Sequence, residues 1–268
     1  MIDADFQKEL RSRYNPDGSQ LRNHQLKMLE MLEYVDKVCR ENDIRYWLSS
    51  GTLLGAVRHG GFIPWDDDLD IEMYREDFLR FKSVFSETDD YVLQTHHTDR
   101  AYFWPFAKVR DRKKLIEEGN LDRSYKYRGV FIDVFCIEKA HRIPCIVFGK
   151  LFELLARVRN KVYENKWLLS ATIFTHRCLL FLIFLLRPIL KYKADCFRNT
   201  YGTGFLASRH PEDIGELSLI SFEGGEFYAP QYPERYLSGI YKDWESIPDD
   251  WNRKGDHITS FGEEENSS

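Results

Sequence analysis

Four carboxylates fall within five positions at Asp66, Asp67, Asp68 and Asp70, directly after Pro64 and Trp65. The stretch from Phe62 to Ile71 reads as a turn running into a strand. Side chains alternate faces along a strand, so Asp68 and Asp70 share one face while Leu69 and Ile71 share the other. Two like charges held roughly 7 Å apart on one half-buried face repel each other, and burial adds to the cost. A divalent cation between them removes both penalties, and hard oxygen ligands suit magnesium or manganese. The expected chemistry is metal-assisted handling of phosphates. A solvated acidic turn is the plainer alternative, opposed by the alternation with Leu69 and Ile71. A calcium loop does not fit, because Ile71 replaces the required glycine and Asp77 replaces the final glutamate.

Upstream, Gly51 and Thr52 lie at a strand-to-helix turn. Glycine there lets backbone amides approach a phosphate, and the helix N-terminus adds partial positive charge. Basic side chains are also needed, because one cation does not neutralise a diphosphate. Arg58, Lys108 and Arg110 are the candidates, with Lys108 and Arg110 on one face of a strand. Asp133 is a lone carboxylate in the apolar run Gly129 to Phe135, on the face of Phe131 and Phe135. It needs a metal, a hydrogen bond, or a salt bridge to Arg128 or Arg110 to be tolerated there. Tyr46, Trp47, Trp65, Tyr102, Phe103 and Trp104 cluster near these motifs. They read mostly as core, with a few available to box a quaternary ammonium. His59, His96 and His97 lack the spacing of a zinc site, and His257 beside Asp256 is a further residue within reach of the site.

These groups must be positioned by mixed helix and strand. Apolar residues from Leu21 to Val38 recur at helical spacing, predicting a helix over about 20–42. A short strand over 44–48, a helix over 53–58 closed by Gly60 and Gly61, the acidic strand to Met73, and a helix over 75–85 follow. Strand-like runs cover 91–95, 101–109, 113–117 and 130–137. The sum is an α/β (α+β) fold with a mixed sheet flanked by helices. After Pro144 come a helix over 146–163 and two apolar runs, 167–174 and 178–186, separated by His176 and Arg177. Neither uninterrupted run reaches the roughly 18 to 20 residues needed to span a bilayer. Residues 222–251 return to short strands and loops.

The chain of 268 residues carries a net charge of −5, unevenly distributed. From Arg142 to Arg198 there are 11 Lys/Arg against 3 Asp/Glu, a local charge of +8. That surface is expected to meet anions, either phospholipid headgroups or a phosphorylated glycan. Peripheral membrane contact through residues 146–193 is one expectation, and an ordinary helical subdomain is the other. Nothing points to nucleic acid. Five scattered cysteines without a Cys-x-x-Cys pair argue against a zinc ribbon or a disulfide framework and fit a reducing cytosol. The N-terminal residues lack the apolar run of a secretory signal. A cytoplasmic location, peripheral on the inner face of the membrane, is the expectation.

A Gly-Thr turn followed by a hydrophobic-Asp-hydrophobic-Asp strand resembles the nucleotidyltransferase superfamily, which usually supplies a third carboxylate from a neighbouring strand. Asp133 is the candidate for that place. More specifically, the run from Trp47 to Ile71 resembles the signature of the LicD family, which includes bacterial phosphocholine transferases and fukutin-type proteins. Ala107 to Asp111, Gly129 to Phe135 and Ala229 to Tyr241 are secondary matches, so the likeness spans about Gln20 to His257. Residues from Pro144 to Arg198 match only in hydrophobic-basic character. Ser49 and Ser50 precede the glycine where many relatives have an aspartate-glycine pair.

The resemblance implies a nucleotidyltransferase-like core over 20–143, a hydrophobic-basic helical insertion over 144–200, a segment over 201–257 packing back on the core, and a tail over 258–268. It implies transfer of a phospho-alcohol, phosphocholine being the family's best-known cargo, from a CDP-linked donor to a hydroxyl of a glycan or its lipid-linked precursor. Asp68 and Asp70 would hold Mg2+ or Mn2+ with Asp133 as third carboxylate, and Gly51 and Thr52 would contact donor phosphate. Asp133 and Asp66 are alternative bases for the hydroxyl proton. The rival readings are an Asp-x-Asp glycosyltransferase using a nucleotide-sugar, and a catalytically silent glycan-binding relative.

Overall fold

The computed structural model describes residues 2–117, 122–249, 253 and 260–261; His257 lies outside them. In chain order the elements are α1 (Ala4–Tyr14), α2 (Gln20–Glu41), β1 (Trp47–Leu48), α3 (Ser50–His59), β2 (Asp70–Tyr74), α4 (Arg75–Val84), β3 (Tyr91–Gln94), β4 (Ala107–Glu117) and β5 (Gly129–Lys139). Then come α5 (Arg142–Val162), α6 (Lys166–Leu190), β6 (Phe197–Asn199), α7 (Pro211–Ile214), β7 (Ser218–Phe222), β8 (Gly225–Ala229), α8 (Pro233–Ile240) and β9 (Ser260–Phe261).

The main sheet runs β1-β2-β5-β4-β3, with β6 paired to β5 and β9 to β4. It is mixed: β2 and β5 are parallel, while β1–β2, β5–β4 and β4–β3 are antiparallel. The expected α/β sheet flanked by helices is what the chain forms. β5 is central and buried along nearly its whole length, which explains its near-continuous apolar sequence.

α2 begins at Ser19, whose Oγ accepts from Arg22 N at 3.1 Å, a side-chain cap that satisfies one orphan amide. Its buried Met28, Met31, Leu32, Val35 and Cys39 follow one helical face. α3 ends at Gly60, which takes the left-handed conformation at φ 68°, a position glycine enters without steric cost.

Several elements depart from the sequence expectation. α1 was not anticipated. Residues 101–106 are not strand, and the two runs expected over 101–109 and 113–117 are one strand, β4, whose register shifts between Arg110 and Leu115. Asp68 precedes β2 instead of lying within it, because the Asp70 N–H is taken by Thr52 Oγ1 at 2.8 Å and the ladder starts there. The segment after β8 contains α8 as well as loops. Most consequentially, His176 and Arg177 do not break the apolar stretch. α6 is one helix of 25 residues, long and apolar enough to cross a membrane by length and composition. Both residues remain helical because their side chains turn onto the domain, as described below.

Two apolar clusters form the interior. The larger joins α2, α3, the main sheet and the β7–β8–α8 segment. The smaller gathers Tyr102, Phe103, Tyr125, Cys145, Phe148, Phe152, Ile183 and Tyr201 beneath α5 and α6.

Candidate active site

The parallel pairing of β2 with β5 sets Asp70 directly beside Asp133, and the antiparallel pairing of β4 with β5 sets Lys108 on the other side of Asp133. Asp133 N donates to Leu69 O at 2.8 Å, so the register is fixed at the carboxylates themselves. Above these strand positions opens a cleft of about 1100 Å³, lined by Ser50, Gly51, Asp66, Asp68, Asp70, Lys108 and Asp133 among others. Aromatic walls come from Trp65, Trp104, Phe106, Tyr125, Phe135 and Tyr241. A large cavity with apolar walls and a few convergent charged groups is the usual form of a small-molecule site.

The cleft concentrates negative charge. Burial drives the Asp70 carboxyl well above its ordinary range, and Asp68, then Asp133, then Asp66 push it in the same direction. Tyr241 lines the same cleft, and burial, then Asp70, Asp66 and Asp68, raise its hydroxyl above the usual value. Lys108 Nζ lies 2.8 Å from Asp133 Oδ1 and 3.2 Å from the centre of the Phe131 ring. Lys108 is thus a partner that makes Asp133 tolerable.

All-oxygen carboxylate donors carrying mutual repulsion fit a hard divalent ion chemically. Among the described residues, however, no group of three His, Cys, Asp or Glu side chains is gathered into a ready-made metal centre, and Asp133 is engaged by an ammonium.

Gly51 contributes close approach. A Cβ there would lie 2.8 Å from Asp66 Oδ2, so glycine leaves room for that carboxylate beside the N-terminus of α3. Thr52 is buried, and its hydroxyl holds the Asp70 backbone. Arg58 lines the cleft and donates through Nη1 to Ser246 O at 2.8 Å and Trp244 O at 3.2 Å. Burial lowers its guanidinium to about 10. Arg110 is wholly enclosed; it donates to Gln94 Oε1 at 2.8 Å and Gly129 O at 2.7 Å and stacks over Phe131. The structure therefore brings Gly51, Asp66, Asp68, Asp70, Asp133, Lys108 and Arg58 to one cleft, and sets Arg110 into the sheet behind it. Of the expected aromatics, Trp65 and Trp104 reach the cleft, Tyr46 and Trp47 lie in the larger core, and Tyr102 and Phe103 lie in the smaller one.

A buried network behind the carboxylates was missed from sequence. Glu72, two positions beyond Asp70, is fully enclosed; it pairs with Arg209 at 2.5 Å and accepts from Tyr236 Oη at 2.6 Å. Ser49 Oγ lies 3.0 Å from the same Tyr236 hydroxyl. Burial acts to lower the Arg209 guanidinium, but Glu72 and Tyr236 outweigh it and hold the group above its usual value. Alternation from Asp70 puts Glu72 on the same face, a signal left unused above, while no local pattern marks Arg209 or Tyr236. Arg209 also lines the cleft.

The fold and this cleft define a mixed-sheet α/β protein with an acidic site beside a helix N-terminus. Residues 43–144 match the family model described as LicD/FKTN/FKRP, nucleotidyltransferase domain. The chain is 28% identical over 259 residues to the lipopolysaccharide cholinephosphotransferase LicD of Haemophilus influenzae, covering 89% of this chain and 96% of that protein. It is 52% identical over 48 residues to human ribitol 5-phosphate transferase FKRP, covering 18% of this chain and 10% of that protein. Mouse ribitol-5-phosphate transferase FKTN is 29% identical over 93 residues, covering 35% of this chain and 18% of that protein. The family likeness is carried by residues 43–144, and the likeness to the Haemophilus influenzae protein extends over most of the chain.

Proposed function

We propose that the protein is a metal-dependent transferase that moves a phospho-alcohol from a CDP-linked donor to a hydroxyl of a glycan or a lipid-linked glycan precursor. The observation that carries this reading is the register of β2, β5 and β4, which aligns Asp70, Asp133 and Lys108 across three adjacent strands at the floor of one cleft. Similarity over nearly the whole chain to a lipopolysaccharide cholinephosphotransferase supports the class of reaction, and local similarity to ribitol phosphate transferases leaves the carried alcohol open.

Asp68 and Asp70, with Asp133 as third carboxylate, are the residues that would hold Mg2+ or Mn2+. A bound ion there would neutralise donor phosphate and stabilise the departing CMP. The N-terminus of α3 at Ser50 and Gly51 offers backbone amides to phosphate, while Arg58 and Lys108 add fixed positive charge at the cleft wall. The acceptor oxygen attacks the outer phosphorus, the bond to the bridging oxygen breaks, and CMP leaves with that oxygen. The hydroxyl proton passes to Asp66 or Asp133, both of which line the cleft. Aromatic side chains around the opening suit a quaternary ammonium, which favours phosphocholine as cargo.

Thermal-shift measurement with magnesium across CDP-choline, CDP-ribitol, UDP-sugars and GDP-sugars tests the donor. A rise in melting temperature confined to a CDP-alcohol is expected; a rise confined to a nucleotide-sugar would favour the glycosyltransferase reading.

A further inference from the structure

α5 and α6 pack against each other and together leave a large apolar surface uncovered. On α5, Ile143, Val147, Leu151, Leu154 and Val158 are exposed at spacings of three and four residues, which makes one stripe. On α6 the corresponding stripe includes Trp167 at 87% exposure, Phe174 at 70% and Ile189 at 72%, with Phe181 and Leu185 between them. Only 11% of the most apolar stretch of α6 is buried. Such a surface exceeds the scattered apolar exposure ordinary on soluble proteins. Exposed Arg142, Lys161, Lys166, Lys191 and Lys193 bracket it at the ends of the two helices.

We propose that this face lies in the interfacial zone of an anionic lipid bilayer. The charge selects the occupant. Seven Lys/Arg of residues 142–198 are exposed against three exposed Asp/Glu, a surface excess of +4, which attracts anionic headgroups but would set like charge against like charge if two copies met through the same patch. Crossing the bilayer is opposed by the other side of α6. His176 is buried and stacks on Phe103 with centroids 4.5 Å apart, and Arg177 donates to the carbonyls of His96 and Arg100. Arg187 is 2.7 Å from Glu138. A helix held by such contacts, exposing only its apolar side, lies flat on a membrane. Asn160 of α5 lines the cleft, and an apolar pocket of about 310 Å³ beneath α5 shares Trp104, Thr203 and Leu206 with it. The proposed membrane face and the site are therefore adjacent.

Flotation of the full chain with phosphatidylcholine vesicles, with and without phosphatidylglycerol, tests this without turnover, so its failure would leave the transferase reading standing. Binding to the anionic vesicles, at least tenfold weaker on neutral ones and reduced by salt, is expected. Trp167→Ser/Phe174→Ser/Phe181→Ser and, separately, Lys161→Glu/Lys166→Glu/Lys191→Glu should each abolish flotation while keeping the far-UV circular dichroism of the parent. No flotation with anionic vesicles at low salt would overturn the proposal. So would membrane association that resists alkaline carbonate, which indicates a spanning helix, or a lipid-free dimer dissociated by the aromatic triple variant.

Discussion

Lys108 stands opposite Asp133 across the β4–β5 ladder, with its ammonium 2.8 Å from the carboxylate and over the face of Phe131. Both side chains are almost wholly enclosed, so the pair is desolvated and neither charge is well tolerated without the other. Asp133 therefore has two demands on it, the ion pair seen here and the cation ligation proposed above.

Removing one member leaves a buried charge uncompensated. Lys108→Met and Asp133→Leu should each destabilise by about 3–5 kcal/mol, and the double variant by less than the sum. Urea unfolding of the four proteins measures the coupling. The double variant should be folded and inactive, which separates packing from chemistry.

The Glu72 network makes a second prediction. Tyr236→Phe removes one hydrogen bond to a buried carboxylate and should cost about 1.5–3 kcal/mol, whereas Arg209→Met leaves Glu72 without its cation and should cost about 3–5 kcal/mol. Denaturant midpoints at constant slope check both.

The glycines of α3 should differ. In Gly55→Ala the new Cβ would meet the backbone oxygen of Gly61 at 2.4 Å, which cannot move aside, while in Gly51→Ala it meets only the end of the Asp66 side chain at 2.8 Å. Gly55→Ala should lose about 1–3 kcal/mol of stability. Gly51→Ala should melt near the parent temperature yet transfer poorly. Parallel melting curves and turnover assays distinguish them.

Asp70 gives a pH signature. Burial and its acidic neighbours raise its folded pKa above the ordinary 3.8, so the folded state holds the proton more tightly than the unfolded chain. Its contribution to stability is then full below about 3.8 and is lost as pH rises through the raised value. In chelator, the stability of the parent relative to Asp70→Asn should fall as pH rises, and magnesium should close the gap.

His176 works in the opposite sense. Burial, then His96 and Arg159, lower it from 6.5 to about 3. Its contribution is present above 6.5 and is lost as pH falls towards 3. Melting temperature should drop between pH 6.5 and 4 more steeply in the parent than in His176→Phe, which keeps a ring against Phe103.

Much of the site was legible because strand alternation and spacing are local. Asp70 and Asp133 could be placed on faces from their neighbours, and the glycine before α3 from its turn. The pairing of Asp133 with Lys108 could not be read, since Lys108 and Arg110 share a face and only the β4–β5 register sets Lys108 opposite Asp133. Arg209 and Tyr236 meet Glu72 across more than 130 residues of chain, a contact with no local signature. The continuity of α6 was hidden for a related reason. His176 and Arg177 look like an interruption until Phe103 and the carbonyls of His96 and Arg100 are seen to receive them.

Phosphorus NMR of the protein with CDP-choline, a hydroxyl-bearing glycan acceptor and magnesium tests the central claim most directly. The parent should convert the donor's diphosphate signals into those of CMP and a new phosphodiester, and Asp70→Asn should leave them unchanged over the same time. Conversion of equal extent by Asp70→Asn, or by the parent in excess chelator, would contradict a cation held at this carboxylate.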